Sequence, residues 1–279
     1  MMPRTHISLA AAALIVGVAA SAGGQAPPAG TFTLTLGGTP PPALAEQAPM
    51  AAGMNGTLRF TLGSDGTHLA AHAELIAEPG SSQAAALAGA RMMAAWKFDA
   101  ESVGVAMSVP ASMRPMLAVM LAPEAGSPPE GYHMTIKLPE LESAIKDQAD
   151  KIDSDATDDF TSVALGTRST VGGIACEEWR ITSPRDTTTV CATESAAPEL
   201  ALIEWFMKRT GAREASEDMT NRLFGGRKLT PIRAVAGDGS FRMELERAST
   251  AAPSAGFFAI PAGYHAIDAG ALPFGGGDR

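Results

Sequence analysis

Strict alternation of polar and apolar side chains recurs along this chain and limits the folds open to it. Residues 31–36 read Thr-Phe-Thr-Leu-Thr-Leu, and Leu58, Phe60 and Leu62 repeat the pattern just before a Gly-Ser-Asp-Gly turn. A period of two residues places alternate side chains on opposite faces of a β-strand, so that one face can be buried. The chain is therefore predicted to contain half-buried strands.

Similar runs continue to the C-terminal region, separated by short turn-like segments. Further strands are predicted at 67–76, 92–98, 103–109, 160–165, 174–182, 187–193, 229–236, 240–247 and 257–260. Helices are predicted at 110–123, 139–152, 198–209 and 214–224. Many sequential strands and few helices indicate an α+β fold, an antiparallel sheet with helices collected on one face.

The first 22 residues have the pattern of a secretory signal peptide. Arg4 precedes an uncharged apolar run at 7–20, and residues 20–22 have the small-x-small form of a cleavage site, with a second candidate cut after Ala26. An uncleaved anchor is the alternative, but the run is shorter than the roughly 20 residues that a membrane-spanning helix needs. The first cysteine is Cys176, so a lipoprotein is not expected.

These features predict a periplasmic or secreted protein that does not span the membrane. Its parts would be a signal peptide at 1–22, a flexible leader at 23–30, a single domain at 31–270 and a loose tail at 271–279.

Cys176 and Cys191 are the only cysteines in the chain. An oxidising compartment favours their pairing. They lie in two strand-like runs around the turn at 183–186, at or within two residues of direct opposition, where Cβ atoms are about 4.5–5.5 Å apart. Two buried thiols are the alternative. A catalytic cysteine is less favoured than either, because no His or Asn stands in a recognisable relation to the pair.

Composition and motifs argue against several classes of function. The formal net charge is −9 and no basic cluster is present, which argues against a nucleic-acid partner. The motifs of serine hydrolases, zinc proteases, phosphate loops and dinucleotide-binding folds are missing from the sequence. The chain is therefore predicted not to be an enzyme, and no cofactor is predicted.

Three residue groups raise the question of a metal, and none predicts one. His68 and His72 would stand roughly 13 Å apart on a strand, so together with Glu74 they are interpreted as a solvated polar face rather than a zinc site. The acidic run at 153–159 lacks the glycine and the final glutamate of a calcium loop. The 14 methionines are interpreted as core or as a pliable apolar binding surface rather than as copper ligands.

Two segments carry a resemblance to a known family. Residues 165–181, followed by the strand to Cys191, resemble the hairpin of the exported bacterial proteins grouped as domain of unknown function 4412. Residues 229–233 and 257–264 resemble the ending of that family, in which a proline-led strand precedes a Phe-x-Ile-Pro-x-Gly-Tyr terminus. The two matches together cover roughly residues 160–265.

This family in turn resembles the LolA type of periplasmic lipoprotein carrier. The resemblance implies a curved antiparallel sheet, a half-barrel, with helices packed on the concave face and a groove for a lipid or acyl chain. The helix predicted between Pro110 and Pro123 is apolar nearly all round and is bounded by prolines, so it could act as a displaceable lid over such a groove. Its candidate ligand contacts are Met113, Met116, Leu117 and Met120.

The sequence thus predicts an exported periplasmic protein that binds or carries an apolar ligand. Two alternatives stay open. One is an envelope scaffold, associated with stress or with other proteins, that binds no small molecule. The other, less favoured, is an exported hydrolase with a dispersed catalytic triad.

Overall fold

The protein is described from a computed structural model. The description covers residues 25–38, 56–77, 90–98, 100–122, 124, 127–137, 161–182, 187–194, 197–209 and 223–267. The strands are β1 (Gly30–Gly38), β2 (Gly56–Ser64), β3 (His68–Ala77), β4 (Arg91–Lys97), β5 (Ser102–Ser108), β6 (Gly131–Lys137), β7 (Thr161–Val171), β8 (Ile174–Thr182), β9 (Thr187–Glu194), β10 (Leu229–Ala236), β11 (Phe241–Ser249) and β12 (His265–Ala266). The helices are α1 (Arg114–Leu121) and α2 (Ala201–Arg209), with 3-10 segments at Pro198–Leu200 and Ala255–Phe258.

All these strands belong to one sheet, in the order β12-β6-β5-β4-β3-β2-β1-β11-β10-β9-β8-β7. Strands β1 to β6 form one antiparallel meander and β7 to β11 form a second. The two meanders join where β1 pairs with β11, and β12 adds to the edge strand β6 as a short parallel partner. The predicted antiparallel sheet with few helices is thereby confirmed.

The second meander curls strongly. Strands β7 and β11 are four strand spacings apart in the sheet, which would be roughly 19 Å if the sheet were flat. Yet a Cβ atom on Gly172, in the turn after β7, would lie only 2.8 Å from the Leu245 carbonyl oxygen on β11. Gly172 also has a φ of 57°, so a glycine suits both the backbone conformation and the close approach.

The main core lies on the sheet face that carries Leu245, which we call the inner face. Helix α2 packs there, and the Phe206 ring centroid lies 6.2 Å from those of both Phe32 and Phe60. Leu202 and Ile203 of the same helix are also buried in this core. The alternation of residues 31–36 has its physical reason here, because Phe32 and Leu34 face α2 while the intervening threonines face the other way.

Several local predictions were wrong, and one strand was missed. Residues 257–260 were predicted as a strand, but a 3-10 segment ends at Phe258 and the chain then crosses the outer face of the sheet. The helix predicted at 110–123 is shorter in the structure, because α1 begins at Arg114 after Met113 as its N-cap, which makes no side-chain hydrogen bond. Strand β6 was not predicted at all.

Other predictions lie outside the described residues. These are the signal peptide at 1–22, the start of the leader, the helix at 139–152, most of the helix at 214–224, and the tail at 271–279. In the part of the chain that the structure describes, no helix is both long and apolar enough to cross a membrane.

Candidate functional site

The predicted ligand-contact helix, α1, covers an apolar cluster at the β5–β6 edge of the sheet, which we call the lid site. Its buried residues are Val109, Ala122 and Tyr132, and the partly buried side chains packed against them are Met113, Leu117, Leu121 and Ile267. Three chain segments therefore meet at this site: α1 with its flanks, the start of β6, and the residue after β12.

Helix α1 is held in place by few polar interactions. It has no side-chain cap, no acidic residue in its first turn and no basic residue in its last turn. Its one charged residue, Arg114, donates through Nε to the Val109 carbonyl at 3.0 Å, and its Nη1 lies 4.0 Å from the Glu130 carboxylate. Isolated helices of this length are not stable in water, so α1 depends on packing against the sheet.

Both surfaces of α1 are apolar. Met113 and Leu117 pack toward Tyr132, while Met116 and Val119 on the other side are 55% and 76% exposed. The structure thus brings two of the four predicted contacts into the site and turns Met116 toward solvent. The backbone of Met120 belongs to α1, but its side chain lies outside the description.

Tyr132 contributes the only hydroxyl group among the side chains of this cluster. Its side chain is 1% exposed, and its hydroxyl has no hydrogen-bond partner within the described part of the chain. Burial raises the pKa of the phenol above its usual value of about 10. The His265 ring lies edge-on to the Tyr132 ring, with centroids 6.3 Å apart.

The third wall of the lid site comes from the C-terminal segment. Residues 253–264, which we call the strap, lead into β12, where His265 pairs with Tyr132 and Ala266 with His133. The next residue, Ile267, donates its backbone N–H to the His133 carbonyl at 2.9 Å and packs into the cluster. The strap therefore delivers Ile267 to the site.

The strap lies on the outer face over three glycines on different strands. A Cβ atom on Gly63 would lie 2.5 Å from the Phe257 ring, and one on Gly104 would lie 3.2 Å from the end of Ile260. On Gly131 it would lie 2.6 Å from the Tyr264 ring. Side chains at these positions would occupy the space that the strap uses, so the glycines form a track across β2, β5 and β6.

His72 fastens the strap to β3. Its Nε2 lies 2.9 Å from the Phe257 carbonyl oxygen, and because a carbonyl only accepts, Nε2 carries the proton and donates. Burial is the main cause that lowers the pKa of His72, and the positive charge of Arg91 lowers it further, against the opposing effect of this hydrogen bond. His72 was interpreted as part of a solvated face, which was wrong, because the Phe257 ring covers it at 4.3 Å.

His68 and Glu74 have partners of their own. The His68 Nδ1 lies 2.9 Å from the Asp65 carboxylate, and Glu74 forms an ion pair with Arg91, also at 2.9 Å. Each of the three polar side chains considered for zinc thus has a different local partner, and the described residues contain no cluster suited to a metal ion.

Cys176 and Cys191 form a disulfide with an S–S distance of 2.04 Å and a Cα–Cα distance of 5.5 Å. Cys191 pairs directly with Glu178, two residues from Cys176, which agrees with the spacing predicted from the hairpin. Both cysteines are buried in the inner-face core. The pairing leaves neither sulfur as a free thiol.

Tyr132 and Ile267 were missed as site residues, although one signal for Tyr132 was available. Residues 131–137 read Gly-Tyr-His-Met-Thr-Ile-Lys, so Tyr132, Met134 and Ile136 alternate with polar side chains as in the strands that were predicted. No comparable pattern marks Ile267, which reaches the site only because β12 pairs with β6.

Fold and site together define a large, open antiparallel sheet with an apolar, helix-covered cluster at one edge. The family model described as "Domain of unknown function (DUF4412)" matches residues 90–264. This chain belongs to that family. The match begins well before the roughly 160–265 that the sequence motifs suggested, and it includes α1, Tyr132 and the strap.

Solved structures with similar shape share little sequence with this chain. The crystal structure of MucB matches with a TM-score of 0.32 and 12% identity, over 91% of this chain and 62% of that one. The complex of Pseudomonas aeruginosa MucA and MucB gives 0.31 and 9%, over 90% and 62%. A structure of PNGF-II gives 0.26 and 10%, over 87% of this chain and 32% of that one. No curated protein matches the chain.

Proposed function

We propose that this protein is an exported envelope protein that binds an apolar ligand at the lid site, with α1 as a displaceable cover. The observation that carries the proposal is the apolar character of both surfaces of α1. Met113 and Leu117 bury against the sheet, while Met116 and Val119 remain exposed. A permanently docked surface helix usually has a polar outer face, so this pattern suits a helix that also meets an apolar ligand.

The weak attachment of α1 supports a role as a lid. Its eight residues lack side-chain caps, and its inward side chains are only partly buried. Helix α2, in contrast, buries Leu202, Ile203 and Phe206 within the main core. A ligand would have to displace fully buried aromatic contacts to enter beneath α2, and we therefore place the binding site beneath α1.

In this proposal both helices cover the concave face of a half-barrel, as the LolA-type resemblance implies. The strand register supports a shared face. Tyr132 lies opposite Met107, which belongs to the same alternate set on β5 as Val103. Val103 is part of the core under α2. Tyr132 beneath α1 therefore faces the same side of the sheet as the residues beneath α2.

The disulfide supports export, because disulfides persist in oxidising compartments such as the bacterial periplasm. The proposal assigns no catalytic residue, cofactor, metal or nucleic-acid partner, and the protein acts by binding and not by catalysis.

Uptake of N-phenyl-1-naphthylamine, an apolar dye that fluoresces on leaving water, tests the proposal. We expect the wild-type protein to bind the dye and the double substitution M113A with L117A to weaken binding about tenfold or more, because two side chains of the site are removed. Met116→Ala is the matched control, since its side chain points outward. A wild-type protein that takes up no dye, and yields no co-bound lipid in native mass spectrometry, would contradict the proposal.

The exposed side of α1 favours a second function, an envelope scaffold that binds proteins. Met116 and Val119 form a small apolar surface available to a partner. If this is the function, the double substitution M116A with V119A abolishes partner capture in cross-linked envelopes. M113A with L117A would then have the smaller effect, the reverse of the order expected for ligand binding.

A further inference from the structure

We propose that the Tyr132 hydroxyl selects the ligand of the lid site, and that the ligand carries a carbonyl or carboxylate oxygen on a long apolar chain. This inference rests on the proposed function. It adds a polar requirement to a site that the rest of the cluster defines only by its apolar surface.

The Tyr132 hydroxyl makes no hydrogen bond within the described structure. Buried hydroxyl groups are nearly always hydrogen-bonded, and an exception calls for an explanation. The cluster side chains around Tyr132, which include Val109, Leu117 and Ile267, are hydrocarbon except for the Met113 thioether, and the His265 ring lies edge-on to the phenol. None of these groups is a hydrogen-bond partner of the hydroxyl, so a phenylalanine would fill the same space without leaving a polar atom unpaired.

The indole Nε1 of Trp179 is also buried without a partner among the described residues, but its setting differs. The Arg227 guanidinium lies 5.7 Å from the Trp179 ring, and the Phe224 ring packs edge-on at 5.2 Å. Among the described residues, no uncapped apolar helix covers it. Of these two buried polar groups, only the Tyr132 hydroxyl lies beneath α1, the proposed lid.

In the hydrogen bond to a ligand, the Tyr132 phenol acts as the donor. The phenol is protonated at neutral pH, because its usual pKa is about 10 and burial raises the pKa further, so it offers an O–H donor. A ligand with an ammonium group would place a positive charge among hydrocarbon side chains without a counter-charge in the cluster, which is strongly unfavourable. A ligand oxygen that accepts from the phenol needs no such compensation.

The accepting oxygen can belong to an ester carbonyl or to a free carboxylate, and the two make different demands on the site. An ester carbonyl is neutral and needs only the Tyr132 donor. A free carboxylate also needs a cation, and Arg114 at the start of α1 can supply it, because its contact with Glu130 is long at 4.0 Å and both side chains reach solvent. The two sources therefore differ in their dependence on Arg114.

Displacement of N-phenyl-1-naphthylamine, which has no oxygen, by three 12-carbon probes tests the inference. The probes are dodecanoate, methyl dodecanoate and dodecane. We expect wild-type protein to bind at least one of the oxygen-bearing probes about tenfold more tightly than dodecane, a difference of about 1.4 kcal/mol. Tyr132→Phe should remove this preference and leave dodecane binding unchanged. Tyr264→Phe is the matched control, as it removes the same atom from the other tyrosine, on the outer face.

Thermal unfolding of the ligand-free variants gives a second readout. Because the Tyr132 hydroxyl has no partner among the described residues, Tyr132→Phe should leave Tm unchanged or raise it. A lower Tm would mean that the hydroxyl serves the folded chain itself, and would overturn the inference. Retention of the oxygen preference by Tyr132→Phe, or equal binding of all three probes by the wild type, would also overturn it while leaving the proposed function standing.

The variant Arg114→Gln distinguishes the two sources of the oxygen. If wild-type protein prefers dodecanoate and Arg114→Gln abolishes this preference, the ligand carries a free carboxylate. If wild-type protein prefers methyl dodecanoate and Arg114→Gln leaves this preference unchanged, the ligand carries an ester carbonyl; both results support the inference. Failure of the wild-type protein to bind the dye or any probe overturns the proposed function and this inference with it.

Discussion

The strap and helix α1 cover opposite faces of the same half of the sheet, and they differ in how they are attached to it. The strap lies on a track of glycines, donates and accepts backbone hydrogen bonds, and continues into a paired strand. Helix α1 lacks side-chain caps, exposes apolar residues and covers the Tyr132 hydroxyl, which has no partner among the described residues. The two covers meet at Ile267.

In the proposed function, this difference separates a permanent element from a displaceable one. The aromatic rings of the strap fit closely over the glycines of the track. This packing stabilises the protein only while the strap keeps its position. Helix α1 makes looser contacts and loses few hydrogen bonds when it moves. The family match covers both segments.

The largest effect is expected from Gly131→Ala, which breaks the fixed cover. Its new Cβ atom would lie 2.5 Å from the Met107 carbonyl oxygen and 2.6 Å from the Tyr264 ring, and backbone cannot yield easily. Overpacking of this kind costs about 1–3 kcal/mol. Urea unfolding measures the loss. Gly104→Ala is the control, since its nearest contact would be the flexible end of Ile260 at 3.2 Å, and the Ala95 carbonyl oxygen would lie at an ordinary contact distance of 3.5 Å. An equal loss in both variants would contradict the account.

An intermediate effect is expected from Leu117→Ala, which loosens the displaceable cover. We expect amide hydrogen exchange in α1 to speed up about tenfold, while the free energy of global unfolding falls by less than about 1 kcal/mol, because the helix opens locally. Met116→Ala should change neither quantity. A global loss of about 2 kcal/mol or more in Leu117→Ala would place α1 among the fixed elements and remove the contrast.

The smallest effect is expected from pH acting on His72. Its folded-state pKa lies below the unfolded value of about 6.5, so the unfolded chain binds the proton more tightly. The stability from the neutral ring is fully present above pH 6.5 and is lost as the pH falls from there toward the folded pKa.

Comparison with His72→Gln isolates this contribution. Glutamine keeps an N–H donor for the Phe257 carbonyl but does not titrate in this range. We expect the free energy of unfolding of the variant to fall less between pH 7 and pH 5 than that of the wild type. Parallel pH profiles for the two proteins would show that the strap is not sensitive to protonation of His72.

Much of the fold could be predicted from sequence because alternation reports burial directly. Strand β10 has the bounds that were predicted, and the hairpin of Cys176 and Cys191 has the expected offset. The apolar run at 257–260 misled, because apolar side chains that lie across a sheet face give the same sequence signal as those of a strand paired within it. Only the glycines opposite them distinguish the two, and these lie more than a hundred residues away in sequence.

Only part of the apolar cluster under α1 could be predicted from the sequence. Helical spacing singled out Met113 and Leu117, which pack into this cluster, but the same spacing could not assign the inward side, because α1 has no polar face to mark the outer one. Met116, about 100° around the helix from Leu117, therefore looked equivalent. Tyr132 becomes notable only after the β5–β6 register places its hydroxyl beneath α1.

The seam between β1 and β11 has a consequence for how the molecule reaches its native state. Thr31 of β1 pairs with Ser249 of β11, so the two paired residues are 218 positions apart in the sequence. Contacts between such distant residues slow folding, since the loop must close before they form. A chain that emerges N-terminus first cannot complete the pairing of β1 with β11 until Ser249 has emerged. Premature closure of the native sheet is thereby discouraged by connectivity alone.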